Sequence, residues 1–283
     1  MTGHLVIGGD GLIGGALAAR LRGAGLRVWA STRRRACAGE GRPFIDLAAR
    51  EWPELDAGLP VVSAHVCAAA SRIAPCEADP AGTARINVSG TEAIVRVLAA
   101  RAAHVVHLST NQVLAGDRAN APADRPYGPR TEYGRQKAEA ERRLRAIPGR
   151  IAMLRLAKVF GPGEALLRQW RRDLAAGHPI APFADMTAAP VSVRLVTRAM
   201  QAIADAGAVG MFQLSAARDV SYADLAFAIA RREGFDRRLV RPVPVAASGM
   251  TLDPPPFTSL DTGRLAAEFG IGAPDPFEAL FEP

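Results

Sequence analysis

Tyr133-Gly134-Arg135-Gln136-Lys137 sets a phenol and an ammonium four residues apart, the spacing that brings two side chains onto one helix face. A cation beside a phenol favours the phenolate, so the pair becomes a proton donor or acceptor usable near neutrality. The chain holds three tyrosines, Tyr127, Tyr133 and Tyr222, and of its 35 basic residues only Lys137 and Lys158 are lysines. Random placement would produce Tyr-x-x-x-Lys about 0.02 times in such a chain, a rough product of residue frequencies. The plain alternative is a solvent-facing pair worth a few tenths of a kcal/mol.

A second set of residues suits phosphate. Gly8-Gly9-Asp10-Gly11-Leu12-Ile13-Gly14 follows the apolar stretch from His4 and precedes an alanine- and leucine-rich helix pattern reaching about Arg22. In that order of strand, turn and helix, Gly8, Gly11 and Gly14 let the backbone turn tightly and approach a pyrophosphate, held by helix-start amides at Leu12 and Ile13. An NAD-preferring site places an acid about 20 residues further on. Here the second strand, Leu26 to Ala30, is followed by Ser31-Thr32-Arg33-Arg34-Arg35. Guanidiniums take phosphate in a bidentate way, so Arg33 and Arg34 favour NADP(H) over NAD(H). Asp46 and Leu47, ending a third short strand from Pro43, are expected beside the adenine. Ala68 and Ala69, after a fourth strand from Pro60 to Cys67, are small enough to admit the cofactor closely.

Thr110 lies at the carboxyl end of the fifth strand, His104 to Leu108, where open parallel sheets place their ligand crevice. It can donate a hydrogen bond to the oxygen that Tyr133 protonates. Thr131 is a capping residue for the helix that carries Tyr133 and Lys137. Asn87, inside a long helix pattern from about Ala81 to Ala102, fits a buried amide that satisfies backbone groups as well as it fits a part in the chemistry.

To position these groups the chain must supply a doubly wound α/β fold: a Rossmann-type parallel sheet with a smaller C-terminal substrate-binding lobe. Residues 1–160 are expected to form the dinucleotide domain, completed by parts of 188–215, and 161–283 mainly the lobe. The sixth strand is Ile151 to Leu156. Beyond it, helix patterns fall at about Ala165–Ala176, Ser192–Ala204 and Tyr222–Arg232 and after Asp261, with a strand at Gly210–Leu214. The proline-rich run from Pro242 to Pro256 is expected to loop over the crevice.

Composition excludes other classes. With 283 residues, 49% of them apolar and 22% charged, the chain can bury a full core. Arginines are scattered and aromatics make up only 6%, so the net charge of +7 does not point to nucleic acid; it suits a polyanionic small molecule. No apolar run is long enough to span a bilayer, and Leu5-Val6-Ile7 lacks the flanks of a signal peptide, so the expected location is the cytoplasm. Cys37, Cys67 and Cys76 lack metal or disulfide spacing. His104 and His107, three apart on a strand, face opposite sides, and no metal site is expected.

Taken together, these motifs resemble the extended short-chain dehydrogenase/reductase family, over nearly the whole length, and within it the sugar-nucleotide reductase branch of the dTDP-4-dehydrorhamnose reductases. The resemblance extends to Leu154-Arg155 through Gly161-Pro162-Gly163, to Ala189-Pro190-Val191, to Phe212-Gln213-Leu214-Ser215, and to the tail Ser259-Leu260-Asp261-Thr262 with Phe269-Gly270-Ile271. It implies a catalytic triad of Thr110, Tyr133 and Lys137, in which Lys137 lowers the phenol pKa and binds the nicotinamide ribose. It implies reduction of a keto group on a nucleotide-linked sugar by NADPH. Rival readings are a sugar-nucleotide 4-epimerase and a dinucleotide-binding regulatory subunit without catalysis, and homodimerisation is left open. Asn111-Gln112 departs from the Asp-Tyr usual in this branch and from the Asp-Glu of the 4,6-dehydratases. These amides can bind a sugar hydroxyl but cannot titrate as a dehydratase needs. Lys158 stands where relatives often have Asn or Trp, and could meet a substrate carboxylate or phosphate.

Overall fold

The computed structural model describes residues 2–249 and 254–281. Up to residue 156 the elements are β1 (Gly3–Ile7), α1 (Leu12–Gly23), β2 (Val28–Ala30), α2 (Pro53–Asp56), β3 (Val61–Val66), α3 (Ile73–Ala78), α4 (Pro80–Ala84), α5 (Thr91–Ala100), β4 (His104–Thr110), α6 (Glu132–Arg145) and β5 (Ile151–Leu156). There follow β6 (Val159–Phe160), α7 (Ala165–Ala175), β7 (Thr187–Ala188), β8 (Val191–Ser192), α8 (Val193–Asp205), β9 (Gly210–Leu214), β10 (Val220–Ser221), α9 (Tyr222–Glu233) and α10 (Gly263–Phe269).

The main sheet runs β2-β1-β3-β4-β5-β9, and β1 pairs in parallel with both β2 and β3, as β3 does with β4. Winding starts at β1 and proceeds in both directions, so the order reverses between β1 and β3, the place where doubly wound sheets receive ligands. Strands covered on both faces should be apolar without alternation. Leu5, Val6 and Ile7 accordingly are all buried, and every residue of β4 is buried too.

By their internal packing the residues group into two units. One comprises Met1–Leu114, Pro126–Arg155 and Leu195–Phe212; the other comprises Ala115–Arg125, Leu156–Arg194 and Gln213–Pro283. The first is built on a core that includes Leu5, Ile7, Trp29, Val66, Leu98 and Val105. In the second, Phe160, Leu167, Trp170, Leu225, Ile229 and Leu280 form a separate core. There α9 starts with a capping box, Ser221 and Asp224 bonding each other's backbone amides. The tail motif is anchored in this unit as well. The Asp219 carboxylate accepts from the amides and hydroxyls of Thr258 and Ser259, and the Ser215 hydroxyl accepts the Leu260 amide at 2.8 Å.

Two expectations need correction. The third strand, Pro43 to Asp46, amounts to a single parallel bridge between Thr32 and Phe44, because Asp46 turns the chain back: its carboxylate accepts from Ala48 and Ala49, and its backbone pairs with Glu51. The helix from Ala81 to Ala102 is not uniform either. A π-helical turn, Arg85–Gly90, separates α4 from α5, an extra-residue insertion that re-aims side chains. In the proline-rich run, Val245–Ser248 forms a 3₁₀ turn; residues 250–253 lie outside the described residues.

Candidate active site

The glycine turn joins β1 to α1. Gly8 has a φ of +92°, and a Cβ there would stand 2.8 Å from the Ala68 nitrogen; one on Gly14 would stand 2.2 Å from the Gly8 carbonyl oxygen. A side chain at either position would break the turn or push the Ala68 strand end away. The α1 N-cap, Gly11, supplies no side chain and the first turn has no acid, so the free amides of that turn suit an anion such as a pyrophosphate. Leu12 is 45% exposed beside them, Ile13 is half-buried and Ala69 is exposed.

At the end of β2 the arginines divide their work. Arg35 stacks on Phe44 at 4.0 Å and pairs with Glu51. Arg34 lies 3.4 Å from the Asp10 carboxylate in the glycine turn, which also accepts from Thr32 at 2.8 Å and from Arg42. Arg33 is exposed. Asp46 Oδ1 accepts the Ala48 and Ala49 amides of its own turn, and the Leu47 side chain is buried in the core with Trp52 and Ile45.

α6 packs on β4 and on the short turn Asn111–Val113 behind it. Thr131 caps the helix, its hydroxyl accepting the Gly134 amide at 3.0 Å and donating to the Gln112 side-chain oxygen at 3.0 Å. Gln112 is thus engaged in holding the helix start. Thr110, 7% exposed, bonds Asn111 Oδ1 at 3.3 Å. Every fourth residue of α6 turns inward: Tyr133 is 8% exposed, Lys137 2% and Glu141 0%.

The ammonium of Lys137 donates to the Leu108 carbonyl at 2.6 Å and lies 2.8 Å from His107 Nε2. An ammonium has no acceptor, so Nε2 accepts and the imidazole proton sits on Nδ1, which is buried without a partner. Burial, and then the adjacent Lys137, hold the His107 pKa well below its ordinary value. Burial likewise lowers Lys137, to about 8, against the raising influence of Glu141 and Cys67. The phenol behaves otherwise than expected. Burial, followed by proximity to Cys76, raises the Tyr133 pKa, and the lysine is directed at His107 and Leu108. In this structure desolvation decides the matter and favours the protonated phenol.

Sequence reasoning missed most of what surrounds this pair. Glu141 takes Arg155 in a bidentate pair, with Nη2 2.7 Å from Oε2, and also accepts from Ser109 at 2.5 Å and Tyr127 at 2.9 Å. Its position four residues beyond Lys137 was the available signal. Asn87 proves to be the backbone-satisfying amide: it accepts the Ala70 amide at 2.8 Å, returns a bond to the Ala70 carbonyl at 2.9 Å, and reaches Gln136 at 2.8 Å. Lys158 belongs to the other unit and pairs there with Glu164 at 3.5 Å. The cysteines are free thiols. No group of metal-binding side chains occurs among the described residues, and no described helix is long and apolar enough to cross a membrane.

A doubly wound sheet with a tight glycine turn at its reversal point, and a Tyr-x-x-x-Lys helix against the neighbouring strand, defines a dinucleotide-dependent class of enzyme folds. Within it the chain belongs to the family described as RmlD substrate binding domain, whose model matches residues 2–281. The dTDP-4-dehydrorhamnose reductase of Mycobacterium tuberculosis is 33% identical over 223 residues, which is 73% of this chain and 72% of the relative. Among solved structures, a dTDP-4-dehydrorhamnose reductase from Bacillus anthracis in complex with NADP superposes with a TM-score of 0.86 at 18% identity, covering 99% of this chain and 98% of that one. A UDP-glucose 4-epimerase from Thermotoga maritima, determined with UDP-glucose, gives 0.81 at 19% identity, covering 98% and 96%. At such identities the likeness to solved structures concerns the fold.

Proposed function

We propose that this chain is an NADPH-dependent reductase of a keto group on a nucleotide-linked sugar, of the dTDP-4-dehydrorhamnose reductase kind. The observation that carries the reading is the buried Tyr133-Lys137 face of α6 against β4, in a chain 33% identical to such a reductase. The glycine turn, the uncapped start of α1 and the arginines after β2 fit a dinucleotide phosphate. When bound, the nicotinamide supplies the hydride.

The protein's own part is proton delivery and orientation. A reductase needs its acid protonated before the reaction, and a phenol whose pKa is raised by burial meets that need. As the carbonyl oxygen gains charge it becomes far more basic than the phenol, and Tyr133 gives up its proton. Lys137 stabilises the phenolate left behind and takes the nicotinamide ribose; Thr110 holds the oxygen. Asn111 is assigned to the sugar nucleotide. The protein works in the cytoplasm, in keeping with its free thiols.

NADPH oxidation over a panel of 4-keto sugar nucleotides, repeated for Tyr133→Phe, tests this. Turnover should fall about 100-fold or more, with dinucleotide affinity kept; undiminished turnover would remove Tyr133 from its role. Tightly held NAD that co-purifies, with no net consumption of NADPH, would favour the 4-epimerase instead.

A further inference from the structure

Asp10 is an acid inside a phosphate-binding turn. Its carboxylate is 30% exposed and faces Arg34 at 3.4 Å, Arg42 and the Thr32 hydroxyl at 2.8 Å. Arg42 reaches it from 32 residues further along the chain, because the bridge between Thr32 and Phe44 brings residues 42–44 alongside the end of β2. A cavity of about 330 Å³ opens there, lined by Gly9, Asp10, Arg22, Ala30, Glu40 and Arg42. The partial burial of Asp10, which would raise its pKa, is outweighed by Thr32, Arg34 and Arg42, and the carboxyl is held below its usual range. It is therefore an anion at neutral pH, in the glycine turn but facing the residues that follow β2, where a dinucleotide places its adenosine ribose.

We propose that Asp10 is an internal competitor for the 2′-phosphate of NADPH. In the free protein its carboxylate occupies the guanidiniums of Arg34 and Arg42, and the cofactor phosphate takes them over on binding. The inference rests on the NADPH-dependent reading above and assigns the phosphate to Arg34 and Arg42, in place of the Arg33 expected from sequence. Two charges balance against each other here. A guanidinium pair favours a phosphate over a hydroxyl, while a fixed carboxylate beside it disfavours the added anion. Asp10 thereby tempers the preference for NADPH, and NADH remains an effective ligand.

Titration calorimetry with NADPH and NADH separately, and with 2′,5′-ADP against 5′-ADP, isolates the effect from catalysis. Asp10→Asn retains an acceptor for Thr32 and removes the charge; the ratio of NADH to NADPH dissociation constants should rise about tenfold, the worth of one charge-assisted hydrogen bond. Arg42→Gln should lower that ratio about tenfold, and the two ADP isomers should follow the same pattern. An unchanged ratio in Asp10→Asn, or equal shifts for both cofactors, would overturn the proposal. So would selective loss of NADPH in Arg33→Gln with none in Arg42→Gln. Wild-type protein that binds neither dinucleotide would instead remove the reductase reading itself.

Discussion

Lys137 is held in the interior by two neutral acceptors, the Leu108 carbonyl and His107 Nε2. A buried ammonium with such partners loses its proton more easily than a solvated one, and Lys137 titrates near 8. The charged form supports the phenolate, so it must be present below that pH and disappear above it. The kcat/KM for NADPH should accordingly fall close to tenfold per pH unit above about 8; a profile level up to pH 10 would show that the charge of Lys137 is not required. That Tyr133 and Lys137 share the buried face of α6 was legible from their spacing, whereas the partners of Lys137 and the dominance of burial were not. His107 lies 30 residues before Lys137, and only the packing of α6 on β4 joins them. Asp10 could be read as an oddity within a glycine motif, but its partner Arg42 could not.

Among the elements, α6 carries most of the site's order. The stripe Tyr133, Lys137, Glu141 is a helical repeat visible in the sequence, yet its last member becomes meaningful only with Arg155 on β5. Both side chains are almost fully buried, 0% and 1% exposed, and removing one partner of such a pair strands the other charge. Glu141→Gln or Arg155→Met should each cost about 3–5 kcal/mol in urea unfolding. The double change Glu141→Leu/Arg155→Met should recover a large part of that, whereas additive losses would mean the two do not act as a pair. Strand and helix positions were otherwise readable where periodicity was strong, as in β4, α7, α9 and β9. The short strand from Pro43 was misread because its apolar residues, Phe44 and Ile45, signal burial without distinguishing a ladder from a single bridge. The π turn before α5 was hidden for a related reason, since one extra residue within a helix alters hydrogen bonding and leaves composition unchanged.

On the scale of the molecule, acid sensitivity is built into the sheet. His4, His65 and His104 fall on one face by strand register, and the rings of His4 and His65 stack with centroids 5.8 Å apart. Burial first, then His4 and His104, lower the His65 pKa to about 3. The unfolded chain, with an ordinary value near 6.5, binds the proton more readily as the pH falls. Stability from this residue is therefore complete above about 6.5 and is lost progressively toward 3, amounting to about 3 kcal/mol by pH 4. Melting temperature against pH should drop more steeply for the wild type than for His65→Leu over that interval; parallel curves would exclude His65 as the cause.

The chain passes from one unit to the other at 114/115, 125/126, 155/156, 194/195 and 212/213. No single cut in the gene therefore separates the two units, and transplanting either one into a relative requires exchanging three separate stretches together.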